Sequence, residues 1–261
     1  MSPRAIRWTI IAGVLVLWEV LPRAGLVPVL FLPPLTTTLS VAVTEWRSYG
    51  AALAVTLSQV MVALLFAVGG GILVGAIVGG VARMRQVLLP VFSSLYAVPL
   101  VVLYPVFTAW FGIGSEAKIA FASVYGFFPT MLSTAAGIQT IDPNLMLTAR
   151  SMGATPVQRL FRVILPAAIP TVLAGLRLGG ALVIIGVVVA EMLISSAGIG
   201  YLITSSRTVL NSPHVFAGVL LVLLIAIGFD LAMRLLEKRC AAWSGAGRAR
   251  PGASDVRPAE A

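Results

Sequence analysis

Apolar residues run along this chain in long unbroken stretches separated by short polar ones. Six stretches approach the roughly 20 residues that a helix needs to cross a bilayer. They are Trp8 to Leu26, Leu57 to Gly80, Val87 to Phe111, Ile119 to Gln139, Ala168 to Ile194 and Val215 to Leu236. The pattern predicts an all-α polytopic membrane protein with about six transmembrane helices. Between the first two stretches, Pro33-Pro34 gives an extended piece, and Thr36 to Trp46 has the spacing of an amphipathic helix lying at the membrane surface. The longest polar interruption is Asp142 to Pro170. Asp142 can cap a helix with Pro143 at its first position, and Gly153 can end it. Thr155 and Pro156 repeat the start signal for a second helix to about Ile164, and Pro166 and Pro170 mark the entry to the next stretch.

Within the stretches, small residues recur at helical spacing. Gly71, Gly75 and Gly79 fall on one face of the second, and Ala167, Thr171, Gly175 and Gly179 on one face of the fifth. Such faces let another helix approach closely. Pro90, Pro99 and Pro105 in the third predict a bent or broken helix. Four charges fall in or near the spans: Glu19, Arg177, Glu191 and Asp230. Glu19 with Arg23, and Asp230 with Arg234, are four apart and can neutralise each other. Arg177 and Glu191 project from a similar face about 21 Å apart, too far to pair. Either both snorkel toward opposite surfaces, or they give a polar face to a translocation pathway.

The composition agrees with a membrane protein: 59% hydrophobic and 10% charged residues over 261, with a mean hydropathy of +1.02. The net charge of +9 does not mark a nucleic-acid binder, because the arginines are scattered between apolar runs. They are asymmetric instead. With both termini cytoplasmic, inner segments hold 14 of the Lys and Arg residues and outer segments 4, the latter being Arg23, Arg47, Lys118 and Arg207. This places Asp142 to Pro166 in the cytoplasm. One cysteine, Cys240, and one histidine, His214, supply neither a disulfide framework nor a metal centre. No cofactor is expected. The basic start, followed by apolar sequence without a cleavage site, is read as a retained first span. Gly69-Gly70-Gly71 is not followed by the Gly-Lys-Ser/Thr of a phosphate loop, so the chain is not expected to hydrolyse ATP.

Ala149-Arg150-Ser151-Met152-Gly153, then nine residues, then Val163-Ile164-Leu165-Pro166 resembles the EAA loop of ABC importer permeases. Leu147 stands where that family often has Glu, Thr148 replaces the first Ala, and Val163 replaces Ile. The proline-rich third stretch ending in Trp110-Phe111-Gly112-Ile113-Gly114, with Gly175-Leu176-Arg177, Ala190-Glu191 and Ser195 to Tyr201, resembles the nitrate, sulfonate and taurine branch. The resemblance covers roughly Leu57 to Arg239.

That likeness implies a type I importer-like fold and the permease subunit of a bacterial inner-membrane ABC importer for a small anionic solute such as a sulfonate, taurine or nitrate. It implies cytoplasmic ATPase subunits, an extracytoplasmic solute-binding protein and a second permease copy as partners. The coupling residues would be Ala149, Arg150, Ser151, Met152, Gly153, Ala154, Leu165 and Pro166. Three parts are expected: residues 1–50 with the first span and an external segment, 51–239 as the permease domain with coupling loop 142–166, and a disordered cytoplasmic tail at 240–261. An ion-coupled secondary transporter is the alternative. It would show internal repeats or a carboxylate relay, and neither is present in the sequence.

Overall fold

The computed structural model describes residues 2–243 and is helical almost throughout. The helices are α1 (Pro3–Arg23), α2 (Leu35–Thr44), α3 (Trp46–Gly80), α4 (Ala82–Tyr96), α5 (Tyr104–Phe111), α6 (Ser115–Gln139), α7 (Pro143–Ser151), α8 (Pro156–Arg159), α9 (Leu165–Leu193), α10 (Ile199–Thr208) and α11 (Ser212–Trp243). Five of them (α1, α3, α6, α9 and α11) are long and apolar enough to span a membrane. The pair α4 and α5, bent by 80° where it breaks, makes a sixth crossing. The chain therefore alternates between two ends, with α7 and α8 at one and α2 and α10 at the other.

The centre is α6, clasped between α3 and α9. Half of the apolar window of α6 and of α9 is buried, against 6% for α1 and 11% for α11. Small residues make the clasp close. A Cβ on Gly75 would lie 2.6 Å from the Met131 carbonyl oxygen, and one on Gly79 would lie 2.8 Å from Ala135 Cα. From α9, Gly179 meets Thr130 and the Gly126 backbone, and Gly137 meets Thr171. The stripes 71/75/79 and 171/175/179 thus both face α6, and they converge on Thr130, which Gly71 and Gly179 each approach. Thr130 and Thr134 tolerate complete burial because each hydroxyl donates to the carbonyl four residues back, at 2.9 and 2.7 Å. With no apolar gain from leaving lipid, this contact area is what holds such helices together.

Several boundaries differ from the sequence reading. The second span begins at Trp46, eleven residues earlier than Leu57, as a helix of 35 residues. The third is two half-helices joined by a tight 3-10 turn, Leu100–Leu103, whose Leu100 and the following Tyr104 pack on Phe121 and Phe128 of α6. Ser195 to Tyr201, read as an external segment, leads into α10. The helix expected to end near Ile164 does not stop there. A π-helical turn, Leu160–Ile164, joins α8 directly to α9. Pro166 and Pro170 each lack the N–H of a regular helix, and the wider turn lets the helix pass into them without a break. At the end of the chain α11 carries Cys240 on to Trp243, and the rest of the expected tail lies outside the described residues.

Candidate functional site

The polar element between α6 and α9 is built from local signals. Asp142 accepts a 2.8 Å hydrogen bond from the Asn144 N–H, and Pro143 occupies the first helical position of α7. The helix ends at Gly153, whose φ of +74° lies in the left-handed region. Ala154 N–H donates to the Ala149 carbonyl at 3.0 Å and Gly153 N–H to the Arg150 carbonyl at 2.9 Å, a complete Schellman turn. Thr155 then opens α8 with a reciprocal box. Its backbone N–H donates to Gln158 Oε1 at 2.9 Å, and Gln158 N–H donates to its hydroxyl at 3.3 Å. Gln158 was not singled out in the sequence, although Thr155-x-x-Gln158 is the signature of such a box.

These bonds fix two helices around one glycine and leave their outer faces bare. Leu147, Met152 and Val157 are 63%, 81% and 64% exposed. Arg150 is exposed, Ala149 is buried, and Arg159 Nε is buried with no hydrogen-bond partner among the described residues. Behind α7 lies a cleft of about 550 Å³ lined by Thr148, Ala149, Met152, Arg162, Pro166 and Pro170. Of the residues expected to couple, Ala149 to Ala154 thus form one turn. Pro166 lines the cleft across from it, and Leu165 begins α9 beside it. Apolar side chains this bare on a polar connection have the character of a docking surface.

Arg177 and Glu191 lie in separate places. Arg177, near the middle of α9, is paired with Asp230 of α11 and approaches Glu237 at 3.7 Å. Asp230 also holds Arg234 at 2.7 Å, the local pair expected from spacing. The link between Arg177 and Asp230 crosses 53 residues, so no local pattern could announce it. An apolar cavity of about 320 Å³ between α9 and α11 begins at this pair.

Glu191 is 1% exposed, near the end of α9. Its carboxylate accepts from the Thr56 hydroxyl at 2.9 Å and from the Gly200 N–H at 2.9 Å. Gly200 lies in the first turn of α10, which has no side-chain cap of its own. Thr56 Oγ1 also accepts the Ile199 N–H at 2.9 Å. The carboxylate therefore serves as the missing cap, and Gly198, at φ +103°, passes so close that a Cβ there would overlap it. Glu19 does the same for α2. It accepts the Thr36 N–H at 3.0 Å while holding Arg23 at 2.5 Å. Both acids were visible in the sequence, as was the helix beginning near Thr36, but not the start of α10. Glu191→Leu is expected to leave the Gly200 N–H unsatisfied, while the Thr56 hydroxyl falls back on the Ala52 carbonyl at 3.1 Å, and to cost about 1–3 kcal/mol. Glu191→Gln, which keeps an acceptor oxygen, should cost less. Thermal unfolding of the detergent-purified chain checks the order.

Comparison with known proteins is consistent with this architecture. Residues 67–241 match the family model described as binding-protein-dependent transport system inner membrane component. The chain is 32% identical over 246 residues to the taurine transport system permease protein TauC of Escherichia coli (strain K12), covering 90% of this chain and 88% of that protein. It is 32% identical over 235 residues to the putative aliphatic sulfonates transport permease protein SsuC of Bacillus subtilis (strain 168), covering 89% and 85%. Among solved structures, a chain of the MetNI methionine ABC transporter superposes with a TM-score of 0.59 at 18% identity. The match covers 75% of this chain and 97% of that one, a likeness of fold.

Proposed function

This chain belongs to the family of binding-protein-dependent transport system inner membrane components, and from that premise we propose that α7, the Gly153 turn and α8 are where a separate ATPase grips the permease. The observation that carries the proposal is the exposure of the apolar side chains of Leu147, Met152 and Val157 on a helix pair fixed by its own caps. The exposed Arg150 charge lies on the same element and suits an acidic group on the partner. Where the resembled pattern has Glu, Leu147 presents an apolar contact, so the grip here depends more on burial and less on an ion pair.

The work of ATP then enters α9 without a joint. Because α8, the π-helical turn and α9 are continuous, a push on α8 moves the helix that packs on α6. Two copies of the chain would enclose the path, with a binding protein delivering solute at the α2 and α10 end. The arginine asymmetry supports α7 and both termini lying on the cytoplasmic side of the bacterial inner membrane. The relatives named for taurine and for aliphatic sulfonates support a small anionic solute. Arg177 lies midway along α9, where its pairing with Asp230 ties α9 to α11.

Met152→Asp tests the docking face. Full-length chain purified from its native membranes is expected to bring down an ATP-hydrolysing subunit. The variant should insert normally but lose at least about tenfold of that activity, as a buried contact residue at an interface centre does. Full retention of ATPase activity on the variant would place the grip elsewhere.

A further inference from the structure

We propose that the break in the third span is a contact station for solute oxyanions on the translocation path; this rests on the transport reading above. The regular helix ends at Ala97, and Val98 and Pro99 form an irregular link between α4 and the following turn, opposite the middle of α6. Irregular backbone at that depth is tolerated where protein or water covers it, because lipid cannot hydrogen-bond its peptide groups. A cleft of about 240 Å³ opens at the break, walled by Tyr96, Val98, Pro99, Tyr125 and Leu182.

The two phenols set its chemistry. Tyr49 and Tyr104 donate to the carbonyls of His214 and Ile194, each at 3.2 Å. Tyr96 and Tyr125 line the cleft, and neither hydroxyl has a hydrogen-bond partner among the described residues. Their rings are fixed by packing, Tyr96 against Phe128 with centroids at 6.2 Å and Tyr125 against Phe121 at 5.5 Å. A phenol is a ready donor, and two of these residues line one cleft.

No charged side chain lines the wall. The acids that could repel an anion are engaged elsewhere, Glu191 as a cap and Asp230 with two arginines. So are the nearest span cations, Lys118 on Ser195 at 2.6 Å and Arg177 on Asp230. Neutral donors without a fixed cation hold a sulfonate or similar oxyanion long enough to orient it and weakly enough to release it, as a path requires.

The test uses full-length chain in membrane vesicles with Cys240→Ala and Val98→Cys, so that a single thiol lies in the cleft. Two water-soluble methanethiosulfonates serve as probes, one bearing a sulfonate and one a trimethylammonium group. Each rate is divided by that reagent's rate with a free thiol in solution. The expected result is modification by both, with the sulfonate favoured by roughly tenfold, and a return to no preference when Tyr96→Phe and Tyr125→Phe are added. Each single Tyr→Phe variant should lie between. Failure of both reagents to react would show a dry cleft and overturn the proposal, and so would a preference that survives loss of both hydroxyls. These rates need no ATPase. Loss of the transport reading would instead appear as vesicles that take up no labelled taurine, alkanesulfonate or nitrate with ATP while the thiol still shows its preference.

Discussion

Gly153→Pro abolishes ATP-driven uptake and ATPase association while leaving membrane insertion intact; this is the expected result with the largest effect on function. The reason is confined to the backbone. A Cβ at position 153 would meet nothing within 4 Å, so the space for a side chain is open. What a substituent cannot accept is the left-handed conformation. That costs about 1–2 kcal/mol for an ordinary L-residue and least for Asn, whose short side chain satisfies it locally. Proline adds a second loss. It forbids φ +74° and removes the N–H that donates to Arg150, half of the Schellman turn. The series Asn, Ala, Val, Pro should therefore lower uptake progressively. Uptake and co-purified ATPase should fall together, since the glycine sets the angle between the docking helix and the one that continues into α9. Equal loss for Asn and Pro would point to a tolerance of glycine alone and not to the turn.

Gly75→Val is expected to prevent accumulation of folded protein altogether. Its Cβ would lie 2.6 Å from the Met131 carbonyl oxygen and 2.7 Å from Thr134 Cβ, and the first of these is backbone that cannot rotate aside. Parting α3 from α6 to relieve the contact would also open the packing at Gly71 and Gly79. The cost is therefore more than the 1–3 kcal/mol of ordinary overpacking. Gly69→Val and Gly80→Val, on the same helix, meet nothing within 4 Å and should accumulate normally. Detergent-resistant yield measured by fluorescence size exclusion for the three variants separates a seam from a general intolerance of branched residues.

The features legible in the sequence were those with a short range. Apolar runs announced the crossings, three prolines announced the broken third span, and glycines four apart announced faces that the structure turns against α6. Pairs at four-residue spacing, Glu19 with Arg23 and Asp230 with Arg234, formed as spacing allows. What stayed hidden depended on chain segments meeting after folding. Glu191 caps α10 because residues 194–198 fold the chain back over it, and Arg177 finds Asp230 from another helix. The joining of α8 to α9 was hidden for a different reason. Proline usually marks a boundary, and only a π-helical turn upstream lets Pro166 and Pro170 lie inside one continuous helix. In the candidate site, the caps and the glycine were readable residue by residue. The bareness of its apolar side chains was not, because exposure is a property of the packed chain.

The account stands on the turn at Met152 and Gly153 facing the compartment that holds the ATPase. Met152→Cys in a Cys240→Ala background, treated with a membrane-impermeant maleimide, tests this directly. Modification in inverted vesicles alone, slowed when the ATPase subunit is bound, is the predicted result; modification in right-side-out vesicles would contradict it.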